Sequence, residues 1–217
     1  AVIVVDGAQS TPHIPVNVTE IDADFFAFSG HKLYGPMGIG VLYGKKELLD
    51  SMPPFLRDGE MIESVTRDSA VFAELPHKFE AGTVNAAEAA GLHAAIDYVN
   101  RVGFDTIHER ELALTADALM RMKTIPGVRI VGSDDPAEHN GIITFTIADV
   151  HPHDVSEILA ADGVAVRAGH HCAEPLLHHL GLRATVRASF AFYNTQSDVD
   201  NFINSLSTVR ERMGYGK

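Results

Sequence analysis

The sequence is poor in cysteine, short of basic residues and without a long apolar run, and each shortage removes a class of answer. A single cysteine, Cys172, among 217 residues excludes an internal disulfide. It leaves that residue as a buried filler, a free thiol or a functional nucleophile. Lysine and arginine number 17 against 29 aspartates and glutamates, a formal charge of −12, which argues against a nucleic-acid or anionic-membrane surface. No apolar stretch reaches the roughly 18 residues of a membrane span, and no charged segment leads into a cleavable apolar one. A cytoplasmic location is therefore expected. Internal repeats and low-complexity segments are missing too. What is present, 46% hydrophobic and 21% charged residues, is ordinary for a soluble globular protein with material for one large domain or two small ones.

Ala1 is followed at once by Val2-Ile3-Val4-Val5, an unbroken apolar strand of the kind buried on both faces of a parallel sheet. With no initiator methionine and no preceding helix, the chain is expected to begin inside a domain. Strands are also expected at Asp24 to Phe28, ending at Ser29, and at Gly40 to Tyr43. Residues 51 to 84 read as an irregular arm or hairpin, or equally as a surface loop, and helices are expected from Asn85 to Val102 and from Phe104 to Thr124, where Pro126-Gly127 stops the second. Beyond Gly127 the pattern alternates: strands at Val128 to Val131 and Gly141 to Ile147, a helix from Asp154 to Ala161, and a strand at Val164-Ala165-Val166. That order predicts a second, compact α/β or α+β domain. The last helix, starting near Thr195 or Ser197, places Val199, Phe202, Ile203, Leu206 and Val209 on one packing face.

Two residues near the start carry chemistry. Lys32 lies in Ser29-Gly30-His31-Lys32-Leu33-Tyr34-Gly35-Pro36, and Asp6 closes the first strand in Asp6-Gly7-Ala8-Gln9. Alone, the lysine is an ordinary loop cation and the aspartate a helix cap. As a pair in this order, at the carboxyl ends of two strands, they look like half of a pyridoxal phosphate (PLP) site. That chemistry needs an amine to form a Schiff base with the aldehyde and a carboxylate to keep the pyridine nitrogen protonated. The glycines of Gly35 to Gly40 are in the wrong order for a dinucleotide fingerprint and read as a turn.

The second informative stretch is Arg167-Ala168-Gly169-His170-His171-Cys172-Ala173-Glu174-Pro175-Leu176, followed by Arg187-Ala188-Ser189 inside an expected strand. Its histidines, with His178 and His179, lack an established structural-zinc spacing, so no metal is expected. His151 and His153 read as polar loop residues before a helix. A thiolate at Cys172 would be the reactive form, and His170, His171 or Arg167 could favour it.

With Phe79-Glu80-Ala81-Gly82-Thr83 and Tyr193-Asn194, these segments resemble the carboxyl-terminal part of a SUF-type (type II) cysteine desulfurase, within the class V aminotransferase-like group. The resemblance implies an α/β, fold type I, PLP-dependent aminotransferase-like architecture. Residues 1–100 would be part of the large cofactor domain and 101–217 the small carboxyl-terminal α/β domain, in a homodimer. It implies that Lys32 forms the Schiff base, Asp6 pairs with the pyridine nitrogen and Gln9 meets the ring's phenolic oxygen. Ser29 and His31 would bind the phosphate, and Thr83 the phosphate of the neighbouring subunit. Arg187, assisted by Arg167, would hold the substrate carboxylate.

Cys172 would then take the sulfur of L-cysteine as a persulfide for a SUF acceptor protein and iron-sulfur cluster assembly, leaving L-alanine. Selenocysteine lyase activity is a close variant. The family's amino-terminal portion, with its own phosphate-binding turn and the ring stacked on PLP, is expected to be missing from this chain. The competing readings are another class V transaminase or kynureninase-like hydrolase, in which Cys172 is dispensable, and a catalytically silent fragment acting as an interaction domain.

Overall fold

The computed structural model describes residues 1–216 and divides into two compact units, one of Ala1–Phe104 and one from Asp105 onward. In the first unit, β1 (Val4–Asp6) is followed by α1 (Val18–Ile21), β2 (Phe25–Ser29), β3 (Gly40–Gly44) and α2 (Lys46–Ser51). The three strands form one sheet in the order β1-β2-β3. β1 runs parallel to β2 with Asp6 opposite Ala27, and β3 returns antiparallel with Gly40 opposite Ser29. Asp24 ties the sheet together at its other end. Its carboxylate accepts the Ile3 N–H at 2.8 Å and meets Lys45 Nζ at 2.9 Å, so the Lys45 hydrogen bond, with help from Ile3, holds it below the usual carboxylate range.

The first two strands pair in parallel, and the first exposes apolar surface, as expected of a strand of this kind that lacks neighbours. Val2, Ile3 and Val4 are exposed, and among the described residues β1 pairs only with β2. The arm is a true hairpin of β4 (Ile62–Val65) and β5 (Ala70–Phe72), and α3 (Ala86–Val102) comes after it as its alanine-rich sequence predicts.

The second unit is built on α4 (Phe104–Met122, whose first residue lies in the first unit), β6 (Val128–Val131), β7 (Ile142–Ile147), α5 (Pro152–Ala161), β8 (Arg167–Gly169), α6 (Glu174–His179), β9 (Thr185–Ser189) and α7 (Gln196–Arg212). Its strands pair antiparallel in the order β6-β7-β9-β8. Alternation decides the faces. Ile143, Phe145 and Ile147 of β7 and Val186 and Ala188 of β9 join the core, with Val155 and Leu159 of α5 and the whole expected stripe of α7. Phe145 and Phe190 each meet the Phe202 ring edge-on, with centroids 6.1 and 6.0 Å apart. The Thr195 N–H donates to Asp198 at 2.7 Å and starts α7.

One strand is displaced from its expected position. Val164 and Val166 pack against the core from an irregular segment, and pairing begins only at Arg167, opposite Arg187. His153 lies inside α5 rather than before it, while His151 caps that helix, its Nδ1 accepting from the His153 N–H at 3.3 Å. Among the described residues no helix is long and apolar enough to cross a membrane. Because Phe145 is fully buried, Phe145→Ala is expected to destabilise the second unit by about 3–5 kcal/mol, read from the urea midpoint at unchanged slope.

Candidate active site

The first unit gathers its polar candidates at the carboxyl ends of β1 and β2. Asp6 is the last residue of β1; its Oδ1 accepts the Ala8 N–H at 2.9 Å, and its Oδ2 is left without a partner among the described residues. Gly7 then leaves the sheet with its N–H on the Ala27 carbonyl at 2.8 Å. A Cβ there would overlap the Phe26 ring, so only glycine lets the chain turn so close under Asp6. Gln9 is exposed two residues later.

Ser29 ends β2, and a single 3-10 turn, Gly30–Lys32, succeeds it. The Gly30 carbonyl accepts the N–H groups of Leu33 and Gly35 at 2.9 and 3.0 Å, and Tyr34 takes a positive φ of 58°. Leu33 is buried, whereas His31 and Lys32 are exposed. The buried leucine anchors a turn that presents the imidazole and the amine to solvent. Neither of those side chains is bonded to another of the described residues. Thr83 is also exposed, after Gly82, whose N–H donates to the Gly59 carbonyl at 2.9 Å.

In the second unit the two arginines face each other. Arg167 of β8 and Arg187 of β9 occupy directly paired positions, hence the same face of the sheet, opposite the core face of Val186 and Ala188. Neither has an acidic partner among the described residues. The Arg187 Nε is buried without a hydrogen bond. Burial, then the neighbouring Arg167 charge, pushes that guanidinium down from its ordinary value, and the Cys172 sulfur opposes the shift. A buried, unpaired N–H beside a second cation is a costly arrangement, and its chemistry fits an anionic ligand able to accept from both groups.

Cys172 is exposed, which removes the buried-filler reading. It sits in a turn: Ala173 donates to the His170 carbonyl at 2.9 Å, and the two central residues, His171 and Cys172, have φ of 55° and 61°. Both φ values are left-handed, as in a type I′ turn, a position that favours glycine or asparagine. For other residues the left-handed region costs roughly 1–2 kcal/mol each, more than the single turn bond returns at about 1 kcal/mol. Two contacts hold the turn to the sheet: His171 Nε2 lies 2.9 Å from Thr185 Oγ1, and Arg167 Nη2 lies 3.9 Å from Cys172 Sγ.

Of the three groups expected near the thiol, Arg167 is the one bonded to it, while His171 is turned to Thr185. An open depression of about 420 Å3 is lined by Arg167, His170, His171, Cys172 and Glu174. Sequence reasoning missed Thr185. Its only signal is its place opposite Gly169 in the β8–β9 ladder.

Burial, followed by the charge of Arg187, pushes the His171 imidazole below its ordinary value of 6.5, with the Thr185 bond opposing. The unfolded chain therefore binds this proton at higher pH than the folded one. Stability from this group is full above about pH 6.5 and falls as the pH drops toward the depressed folded value. His171→Asn, which tolerates the left-handed turn, is expected to lose less stability than the parent between about pH 7.5 and about pH 5.5, read from urea midpoints at both pH values.

The aminotransferase class-V family matches residues 1–202. A probable cysteine desulfurase of Staphylococcus epidermidis is 52% identical over 216 residues, covering 99% of this chain and 52% of the relative. One of Streptomyces coelicolor is 49% identical over 214 residues, covering 99% and 51%. Among solved structures, the Escherichia coli cysteine desulfurase CsdA superposes with a TM-score of 0.91 at 43% identity, over 97% of this chain and 52% of that one. The chain spans about half the length of the curated relatives it matches.

Proposed function

The chain belongs to the aminotransferase class-V family, and from that premise we propose that it supplies the carboxyl-terminal half of a PLP-dependent L-cysteine desulfurase. The observation that carries this reading is the exposed Cys172 in a strained turn with Arg167 Nη2 at 3.9 Å from its sulfur, beside the paired Arg187. A transaminase or hydrolase has no use for a thiol held this way. The first unit would be part of the cofactor domain and the second the small domain. The names of the relatives support the substrate, L-cysteine, and the reading extends to sulfur delivery to a SUF acceptor protein, with a cytoplasmic, homodimeric enzyme as its setting.

The donor set at the strand ends fits PLP: a half-satisfied carboxylate at Asp6, an amide at Gln9, a hydroxyl at Ser29, an imidazole at His31 and an exposed amine at Lys32. When bound, the cofactor supplies an electron sink adjacent to the substrate's Cα. Asp6 would hold the pyridine nitrogen's proton, Gln9 would meet the phenolic oxygen, and Ser29 and His31 would bind the phosphate. Thr83 would serve the phosphate of the neighbouring subunit. Lys32 would hold the aldehyde end of the cofactor, and its Nζ would take the substrate's Cα proton and return it to the product.

Arg187, with Arg167, grips the substrate carboxylate through paired charged hydrogen bonds. The Cys172 thiolate forms a bond to the substrate sulfur as the bond from that sulfur to Cβ breaks. The carbon keeps the electron pair and takes a proton, giving L-alanine, and Cys172 carries the persulfide.

Two outcomes test the assignment. Borohydride reduction after adding PLP is expected to attach it at Lys32; attachment at another lysine would overturn that role. In a full-length enzyme carrying this chain, Cys172→Ala is expected to lower alanine formation from L-cysteine by at least about a hundredfold while PLP stays bound. Undiminished alanine would favour a different PLP lyase.

A further inference from the structure

We infer that Thr185 is a positioning residue, whose buried hydroxyl pins the His171–Cys172 turn over the sheet face that carries Arg167 and Arg187. Thr185 and Arg187 are two residues apart on β9 and so project from the same face, yet Thr185 is fully buried. Its ladder partner is Gly169, the residue at which β8 ends with a φ of 130°. The strand therefore gives way to the turn directly opposite Thr185. Two residues on, the His171 ring reaches back to it at 2.9 Å.

Three observations make this bond more than local packing. The turn's two central residues are left-handed although neither is glycine or asparagine, so the turn needs support from outside itself. The other ring nitrogen, His171 Nδ1, is buried with no hydrogen bond, so the hydroxyl is the ring's one polar tether among the described residues. The remaining contact between the turn and the sheet is the Arg167–Cys172 approach at 3.9 Å, at the limit for a sulfur acceptor. With the tether cut, the turn relaxes and Cys172 drifts from its place 3.9 Å from Arg167 Nη2. The threonine acts through His171 and touches no reacting atom. Its catalytic consequence rests on the desulfurase reading; its effect on the thiol does not.

The test compares Thr185→Val, which keeps the shape and removes the hydroxyl, with Thr185→Ser, which keeps the hydroxyl. Cys172 is the only thiol in the chain, so alkylation by iodoacetamide at neutral pH reports it alone. Thr185→Val is expected to react at least about threefold more slowly than the parent, and Thr185→Ser at the parent rate. Equal rates for parent and Thr185→Val would overturn the proposal, as would a Thr185→Ser rate as slow as that of Thr185→Val. Should circular dichroism show Thr185→Val unfolded, His171→Ala, which removes the ring and keeps the strained turn, replaces it in the same comparison with the same expected slowing.

In a full-length enzyme carrying this chain, Thr185→Val is expected to lower kcat for alanine formation and leave KM for L-cysteine near the parent value. A raised KM with unchanged kcat would overturn the positioning role in favour of one in substrate binding. If the parent enzyme makes no alanine at all, the desulfurase reading fails while the alkylation result still decides the tether.

Discussion

Two like charges at directly paired positions of an antiparallel ladder repel each other, and the second unit is organised around one such pair. Arg167 and Arg187 share a face, have no acid to neutralise them among the described residues, and one has a buried donor left over. The core on the opposite face, with Phe145, Val186 and Phe202, supplies the stability that the charged face gives up. An anion accepting from both guanidiniums would offset that cost.

The first unit solves a different problem by similar means. A parallel pair of strands ends with its carboxyl termini side by side, and the chain must turn away at once so that its polar side chains stay free. Gly7 does this under Asp6, where a larger residue would meet Phe26; the 3-10 turn after Ser29 does it for Lys32, with buried Leu33 as its anchor. Acid and amine thus come from the same local design, a strand that stops and a tight turn that leaves a polar side chain exposed.

Much of this was legible in the sequence. Long periodic segments identified α3, α4 and α7, with Pro126-Gly127 just beyond the end of α4 and the Val199 to Val209 stripe fully buried as expected. The strand ends bearing Asp6 and Lys32 could be read from apolar runs closed by polar turns. The failures have physical causes. Val164-Ala165-Val166 has the composition of a strand, but pairing depends on a partner, and β9 meets the chain only from Arg167. The left-handed turn at His171 and Cys172 uses residues that carry no turn signal, and Thr185 is tied to it across 14 positions of sequence.

In the proposed function, Cys172 is the group that receives sulfur. The most direct test is peptide mass spectrometry of a full-length, PLP-loaded enzyme carrying this chain after exposure to L-cysteine without acceptor or reductant. One added sulfur atom is expected on the peptide containing Cys172. Alanine formed in quantity while that peptide keeps its original mass would contradict the assignment.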